Sequence, residues 1–547
     1  MFEVEIKIDG IHRKKMIYAT SKTIKEIEVD IGLSPNYIAV KKKNKYANFN
    51  DEINTDTKID FINSHSAEGL FIYQDTAIFI LCCAFHKLFM GNKLVIEHSI
   101  GDGVYMENFS KTFSENDVQN LQIEMSKIVA EKLEIEEILL DPQKATEIFQ
   151  KFNRKRVLKN IRFNKMKFVK CGEYYDYFLR KLAQNTSLIS AIKLEYHSPG
   201  LILRFPKTND LQINKNRTFP RKLFAAHQEH DKWLDILNMH YVSSLNDAIN
   251  DYTAKNLIQV EEALHEKKIV NIANDISQKK DAKLILIAGP SSSGKTTFAK
   301  RLSIQLQVNG VIPKIIGMDD YFLPRKWTPK KKNGEYDFES IQALDLKLLN
   351  QNLMGLMNGE EVNIPKYDFL TGTRNDNYRK MQIGENEIVI MEGIHGLNDK
   401  LTYSIPFNQK IKIYVSALNN LNIDCHNRIA TTDSRKFRRL VRDFKFRGHK
   451  PEITLNMWRS VRSGEDVNIF PFQENADYMF NSILTYELAV LKKYILPLLK
   501  SVSDESENYS EVQRLIEILG HFYNIQDDLV PSNSILREFI GGGIFEY

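Results

Sequence analysis

The chain has 547 residues, too many for a single hydrophobic core, and this length favours about three or four domains. Its 75 basic and 70 acidic residues leave a net charge of +5, which is too balanced to indicate a general nucleic-acid binder and confines any basic site to a local cluster. The four cysteines are scattered, which excludes a disulfide framework and a paired C-x-x-C zinc site.

The N-terminus and the most apolar stretch lack the features of export or membrane signals. Residues 1–7 carry charges throughout and contain no apolar core of the kind found in signal peptides. The longest uncharged apolar run, 76–85, is too short to span a bilayer and predicts a buried helix. We therefore expect a cytoplasmic protein without a membrane partner.

Residues 1–65 have the pattern of a small β-rich module. Apolar and polar residues alternate over 2–8, Asp9-Gly10 marks a turn, and 58–62 reads as a further strand. This pattern resembles the β-grasp module, called TGS, at the N-terminus of threonyl-tRNA synthetases and some GTPases. The resemblance implies contact with RNA or a regulatory role, although the charge pattern of the basic run 41–45 favours a solvated loop.

Residues 66–235 predict an α+β domain. The run 88–107 resembles the second, editing-type domain of threonyl-tRNA synthetases. In that family, an H-x-x-x-H pair on the preceding helix forms the hydrolytic site, and the aligned positions here are Phe79 and Cys83. The resemblance therefore implies that the hydrolytic site is lost.

Two pairs of residues on predicted helices of this domain have spacings that metal sites also use. Cys82 and His86 lie four residues apart in a very apolar helix, which favours a buried cysteine and a core histidine over a metal site. His227 and His230 lie three residues apart and are expected on an exposed helix face.

A helical connector, 236–281, leads into a region, 282–500, in which short apolar strands alternate with helices. This alternation predicts an α/β fold with a parallel sheet and helices on both faces. Residues 501–547 form a C-terminal tail with one amphipathic helix over 512–522. The sequence of this tail indicates no function.

The most specific motif of the chain is Gly289-Pro-Ser-Ser-Ser-Gly-Lys-Thr296, which fits G-x-x-x-x-G-K-[ST] between a strand-like and a helix-like run. Backbone N–H groups of such a loop bind phosphate at a helix N-terminus. Lys295 would reach the β- and γ-phosphates, and the Thr296 hydroxyl would bind Mg²⁺. A glycine-rich turn that binds nothing is the alternative. The residues expected to contact the nucleotide are Gly289, Ser291, Ser292, Ser293, Gly294, Lys295, Thr296 and Thr297.

Two later strand-like runs end in carboxylates. The first leads to Asp319 and Asp320, and the second leads to Glu392. Because the carboxyl ends of parallel strands meet at one edge of a sheet, these acids should converge on the phosphates. Carboxylates there are repulsive unless they hold Mg²⁺ or take a proton from an attacking hydroxyl. An acid that caps a following helix is the alternative. It could account for one of these acids, but it accounts poorly for acids at the ends of both strands.

A basic cluster follows in the region after residue 430. On a helix, Arg439 and Arg442 would share a face and could bind phosphate oxygens as charge builds during transfer. A solvated basic helix is the alternative, and we favour an arginine lid over the phosphates. The members of the cluster are Arg435, Arg438, Arg439, Arg442, Lys445 and Arg447.

These motifs follow one another in a fixed order along the chain. They are 289–296, 319–322, 364–369, 392–396 and 438–448. In this order they resemble the uridine kinase and phosphoribulokinase branch of the phosphate-loop kinases. The whole layout, with synthetase-like N-terminal domains, resembles a bacterial group of uridine kinase-like nucleoside kinases.

The resemblance implies a role for each matching residue. Asp319 matches the catalytic base, and Glu392 matches the Mg²⁺-associated acid, so that Thr296, Glu392 and Asp319 form the expected metal site. Lys295 acts with Asp319 in catalysis. Three arginines match the family's phosphate-binding arginines. Arg439 and Arg442 are expected to act in catalysis, and Arg439 is also expected to bind the substrate. Arg447 is expected to bind the nucleotide.

On the acceptor side, Asp337 falls where uridine kinases hold the ribose hydroxyls, and Tyr367 and Phe369 match aromatic residues that line the base pocket. Two positions depart from the family pattern. The histidine that uridine kinases place three residues after the second aromatic is Gly372 here, and a further lid arginine is His449. We therefore expect a broader or altered nucleoside preference, which Gly372→His would sharpen towards pyrimidines.

The motifs and the resemblance together predict phosphorylation of the 5′-hydroxyl of a ribonucleoside, uridine or cytidine, with ATP or GTP as donor and Mg²⁺ as cofactor. A kinase for a pentose or pentose phosphate is one alternative, for which His395 and His449 could add an anion site. An RNA-sensing regulatory NTPase is another. RNA contact through the N-terminal modules and assembly into a homo-oligomer stay open.

Overall fold

The N-terminal unit is a mixed sheet with one short helix. In this computed structural model the described residues are 1–33, 37–152, 166–206, 211–213, 218–331 and 334–546. The elements of the unit are β1 (Phe2–Ile8), β2 (Ile11–Tyr18), β3 (Lys22–Thr23), α1 (Ile24–Asp30), β4 (Tyr37–Lys42), β5 (Lys45–Ala47), β6 (Glu52–Ile53) and β7 (Thr57–Asn63). The main sheet has the order β2-β1-β7-β4-β5, with β1 and β7 parallel. The predicted alternation in β1 is confirmed, since Val4 and Ile6 are buried.

The basic run 41–45 is solvated only in part: Lys43 and Lys45 are exposed, as a solvated loop predicts, whereas Lys41 and Asn44 contact other parts of the protein. Lys41 is buried and pairs with Glu68 at 2.6 Å. Asn44 donates hydrogen bonds from Nδ2 to two backbone carbonyls of the C-terminal tail, at residues 504 and 505. The turn therefore serves as a contact between the first unit and the tail.

The second unit contains two small antiparallel sheets and several helices. The elements are α2 (Ala67–Leu88), β8 (Leu94–Ile100), β9 (Gly103–Asn108), α3 (Glu115–Ala130), β10 (Glu136–Leu140), α4 (Pro142–Lys151), β11 (Met166–Cys171), β12 (Tyr174–Asp176), β13 (Lys193–His197), β14 (Gly200–Arg204) and α5 (Arg221–Leu237). Among the described residues, α2 is the one helix long and apolar enough to cross a membrane. Most of it is buried inside the protein, as expected for a core helix.

Two helices, α6 (Val242–Asn250) and α7 (Ala254–Ser277), lead into a five-stranded parallel sheet. The elements that follow are β15 (Leu284–Ala288), α8 (Lys295–Val308), β16 (Ile312–Gly317), α9 (Leu346–Met357), β17 (Val362–Asp368), β18 (Thr373–Met381), β19 (Glu387–Glu392), β20 (Lys410–Ser416), α10 (Thr431–Arg447), α11 (Pro451–Asn468), β21 (Tyr478–Asn481) and α12 (Glu487–Lys500). The sheet order is β16-β19-β15-β20-β21, with all neighbours parallel.

The sheet is covered on both faces, as the alternation of strands and helices predicted. Ile285 and Ile287 of β15 pack into one core with residues of α7 and α8, whereas Leu284 and Leu286 pack into another with residues of α9. This is the phosphate-loop kinase fold, in which the loop follows the central strand. In such sheets, ligands bind beyond the carboxyl ends of the strands, so we expect the active site at that edge.

The C-terminal tail folds back on this sheet domain. It contains α13 (Tyr509–Gly520) and the short α14 (Arg537–Ile540). The amphipathic helix predicted over 512–522 is confirmed, with its start three residues earlier than expected. Near the end of the chain, Ile535, Leu536 and Phe539 are fully buried, so the tail belongs to the folded core of the domain.

Candidate active site

The phosphate loop crosses from β15 to α8 at the carboxyl edge of the sheet. Gly294 ends the loop with a φ of +84°, a conformation that a side chain would strain. In the described part of the chain, the buried hydroxyl oxygens of Ser292 and Ser293 have no hydrogen-bond partner. Since buried polar groups normally have such partners, phosphate oxygens in the loop would satisfy them.

Two buried arginines of α10 hold the outer side of this loop. Arg435 Nε donates to the carbonyl oxygen of Ser291 at 2.9 Å, and Arg438 Nη1 donates to that of Ser292 at 3.4 Å. The buried carboxylates that neutralise the two guanidinium groups are Glu465 and Glu487. These two arginines therefore support the loop from behind, and they do not belong to a lid over the phosphates.

The side chains expected at the metal and the phosphates lie together. Thr296 Oγ1 donates to Glu392 Oε1 at 2.8 Å, which joins the loop helix to the end of β19. Asp319, in a short turn after β16, interacts electrostatically with both Glu392 and Lys295. Asp320 turns towards Lys366, with which it pairs at 3.2 Å. Of the two adjacent acids, Asp319 is therefore the one at the phosphate loop.

The environment of Asp319 favours a proton-accepting role near neutral pH. Burial raises the pKa of Asp319 to about 6, and the charge of Glu392 raises it further while Lys295 opposes the shift. Burial also lowers the pKa of Lys295. A hydroxyl and two carboxylates are oxygen ligands of the kind Mg²⁺ prefers, and a cation would relieve the repulsion between the acids. The residues present therefore fit Mg²⁺.

The three arginines expected at the phosphates share one buried carboxylate, that of Asp443. Arg439 pairs with it at 3.1 Å and also donates from Nη1 to Ser291 Oγ at 2.7 Å. Arg442 lies 2.9 Å and Arg447 3.6 Å from the same carboxylate. Asp443 thus orients all three cations, a role that no sequence motif indicated.

The expected base pocket is partly core and partly surface. The ring of Phe322 lies 5.6 Å from that of Tyr367 and 5.7 Å from that of Phe369, measured between centroids. Tyr367 is buried, whereas Phe369 is half exposed. Asp337 interacts with Glu339, which in turn interacts with Arg439, so Asp337 lies towards the arginine-bearing helix.

Gly372 lies beside a cation that the sequence did not mark. Its φ is +68°, and a Cβ built there would come within 2.7 Å of Arg325 Nε. Arg325 also donates from Nη2 to the carbonyl oxygen of Phe369 at 2.7 Å. Gly372→His would therefore strain the backbone and collide with Arg325, so that substitution cannot test base selection. Arg325 therefore places a cation beside the expected base pocket.

The metal-like pairs of the second unit are explained by packing. His86 lies against the rings of Phe152 and Tyr174. Cys82 instead lies near Asp176 and His426, with ligand atoms within 4.8 Å of one another. His426 Nδ1 and Asp176 Oδ2 are 2.8 Å apart, a hydrogen-bond distance and shorter than the roughly 3.3 Å expected between two ligands of tetrahedral zinc.

The second pair, His227 and His230, is buried, so the expectation of an exposed helix face is wrong. The ring of His227 stacks on that of His98 at 3.8 Å between centroids. Phe79 and Cys83, at the positions aligned with the lost hydrolytic pair, are also buried. These residues contribute to the core.

Comparisons with known proteins agree on the sheet domain. A sequence model described as "Phosphoribulokinase / Uridine kinase family" matches residues 284–489. A uridine kinase of Staphylococcus aureus is 31% identical over 195 residues, which cover 36% of this chain and 84% of that protein.

Solved structures with partial likeness include a "Possible Uridine Kinase" from Bacillus stearothermophilus, with 18% identity, a TM-score of 0.25 and coverage of 37% of this chain and 89% of that one. Another is D-glycerate 3-kinase from Cryptococcus neoformans, with 12% identity, a TM-score of 0.23 and coverage of 49% and 89%. Scores this low carry no argument about this chain. The match to the Staphylococcus aureus enzyme, together with the family match, shows that the chain belongs to the phosphoribulokinase/uridine kinase family and is a phosphotransferase with an alcohol group as acceptor.

Proposed function

We propose that the protein transfers a phosphoryl group from ATP or GTP to the 5′-hydroxyl of a ribonucleoside, uridine or cytidine. The observation that carries this proposal is the position of Asp319. Its carboxylate, with a pKa raised to about 6, lies beside Lys295 and the Thr296–Glu392 pair at the end of the phosphate loop. A base at that position can take the proton of an attacking hydroxyl.

The roles follow from what each side chain contacts. Backbone N–H groups and the serine hydroxyls of the loop bind the donor phosphates, and Lys295 offsets their charge. Thr296 and Glu392 would hold Mg²⁺, which when bound neutralises charge on the β- and γ-phosphates. Asp319 accepts the proton from the acceptor hydroxyl. Arg439 and Arg442, oriented by Asp443, stabilise the charge on the transferred group.

We also propose five units: 1–65, 66–235, 236–281, 282–500 and 501–547. The strand order of the first unit, with its parallel first and last strands, is typical of a β-grasp fold and supports the TGS interpretation. The second unit is proposed as the synthetase-like α+β domain. RNA contact would have to use other residues than Lys41 and Asn44, because these two contact the second unit and the tail.

A pentose phosphate is the competing acceptor, and it would need an additional anion site. Of the two histidines considered for that site, His395 is buried, and burial lowers its pKa to about 4. A histidine with that pKa is neutral at pH 7 and offers no positive charge. His395 therefore cannot supply the anion site, which leaves His449 as the one histidine considered for it.

An assay with a panel of acceptors tests the proposal. The full-length protein is incubated with ATP or GTP, Mg²⁺ and uridine, cytidine, adenosine, guanosine, a pentose or a pentose phosphate, and product formation is measured. We expect the highest kcat/KM with a pyrimidine nucleoside. Phosphorylation of a pentose phosphate alone would contradict the proposal, and hydrolysis of the triphosphate without transfer would favour a regulatory NTPase.

Replacement of Arg325 tests which side chain reads the base. Its guanidinium donates hydrogen bonds and accepts none, so it favours base edges rich in acceptors, such as those of uracil. We expect Arg325→Ala to lower kcat/KM for uridine about 10- to 100-fold, as for loss of a hydrogen bond with a charged partner, and to affect adenosine less.

The neighbouring Lys326 is exposed, and Lys326→Ala provides the matched control. Its kcat/KM values for both nucleosides should equal those of the wild type. An equal loss for uridine and adenosine in Arg325→Ala would instead indicate a structural role through the Phe369 carbonyl.

A further inference from the structure

The C-terminal tail places a carboxylate on the phosphate loop helix. Glu538 Oε2 accepts a hydrogen bond from the backbone N–H of Thr297 at 3.2 Å and another from the Thr297 hydroxyl at 2.7 Å. The two residues are 241 positions apart in the chain. The charge of Glu538 also acts on Lys295. The tail therefore supplies a negative charge at the start of α8.

These are donors that a nucleotide would use. Thr297 lies in the first turn of α8, and the residue before the helix is Gly294, which has no side chain to cap it. N–H groups of a first turn have no partner within the helix and bind anions. Thr297 is also one of the residues expected to contact the donor phosphates. A phosphate oxygen and the Glu538 carboxylate therefore compete for the same N–H and hydroxyl.

The tail backbone is fixed firmly enough to keep the carboxylate in place. Phe539 is buried with the guanidinium of Arg438 over its ring, 5.1 Å from the centroid. Lys445 donates from Nζ to the carbonyl oxygen of Ile540 at 2.5 Å. Ile535 lies directly against Gly294 of the loop. With the backbone held at these points, the Glu538 side chain has to rotate if a phosphate is to reach Thr297.

We infer that Glu538 is an intrasteric inhibitor of the donor site: its carboxylate occupies the place of a donor phosphate, and nucleotide binding requires it to leave Thr297. The inference rests on the proposed binding of ATP or GTP by this loop. It gives the C-terminal tail a regulatory role, because any change that withdraws Glu538 raises the affinity for nucleotide. The alternative is that the Glu538 carboxylate only caps α8 and does not compete with a donor phosphate.

Glu538→Gln separates the two interpretations. Glutamine retains an oxygen that can accept the hydrogen bonds of Thr297, so the helix start stays capped while the charge is lost. We expect the Kd of a non-hydrolysable ATP analogue with Mg²⁺, measured by calorimetric titration of the full-length protein without acceptor, to fall about tenfold. The KM for ATP should fall with it. An unchanged or raised Kd overturns the inference.

Glu546→Gln is the matched control, because Glu546 is exposed in the same tail. Its Kd should equal that of the wild type. Thermal unfolding without nucleotide checks that both variants fold; a lower Tm for Glu538→Gln with an unchanged Kd identifies a simple cap and overturns the inference.

The outcomes also separate this inference from the proposed function. Nucleoside phosphorylation by the wild type with an unchanged Kd in Glu538→Gln contradicts the inference alone. Tighter nucleotide binding by Glu538→Gln without turnover of any nucleoside supports the inference and contradicts the proposed acceptor. If neither form binds the analogue, the donor site and the inference are both wrong.

Discussion

Lys295→Ala is expected to lower kcat for phosphoryl transfer about 10³-fold, the upper end of the range for removal of one preorganised donor at a developing charge. Lys295 is the loop side chain placed to offset negative charge on the β- and γ-phosphates. It interacts electrostatically with Glu392, Glu538 and Asp319, so its removal also takes away one of the positive charges that offset these carboxylates. Steady-state kinetics with the preferred acceptor measures the loss.

Lys347→Ala is a suitable control, because Lys347 is exposed on α9 of the same domain. Its turnover should match that of the wild type. Thermal unfolding of Lys295→Ala distinguishes loss of chemistry from loss of fold, which matters because Lys295 interacts with several charged groups. Turnover at the wild-type rate in a folded Lys295→Ala would show that the loop does not bind the donor.

The convergence of Thr296 with Glu392 could be predicted although 96 residues separate them. Strands of a parallel sheet end at one edge, so a loop after one strand and an acid after another must be close. The periodicity of short apolar runs was sufficient to identify those strands. Prediction succeeded where a repeating geometry connects local sequence to position in space.

Prediction failed where the contact depends on the path of an irregular segment. Glu538 reaches Thr297 through a tail whose short turns have no periodic pattern. Arg435 and Arg439 lie on the same helix with the same charge, yet one supports the loop carbonyls and the other contacts the Ser291 hydroxyl. Only the orientation of α10 decides between those roles. The prediction that His227 lies on an exposed helix face was wrong for a similar reason. Its ring stacks on that of His98, which lies on β8, far away in the sequence.

Asp319→Asn is expected to leave nucleotide binding nearly intact and to lower kcat by about 10²- to 10⁴-fold, the usual contribution of a positioned general base. Asparagine has nearly the same shape and cannot accept the proton of the acceptor hydroxyl. Asp320→Asn is the matched control, because Asp320 adjoins Asp319 but pairs with Lys366. A larger loss in Asp320→Asn would mean that the second acid of the pair is the base.

The pH dependence gives a readout that a merely structural role of Asp319 would not produce. Its pKa is raised to about 6, so the carboxylate is protonated below that pH and cannot accept a proton. Bound Mg²⁺ favours the charged carboxylate, so in the wild type kcat/KM for the acceptor should rise about tenfold per pH unit up to a pH at or below 6 and level off above it. The residual activity of Asp319→Asn should lack this rise, since the titrating group is gone. A rise through the same pH in Asp319→Asn would assign the titration to another group and contradict the role of Asp319 as base.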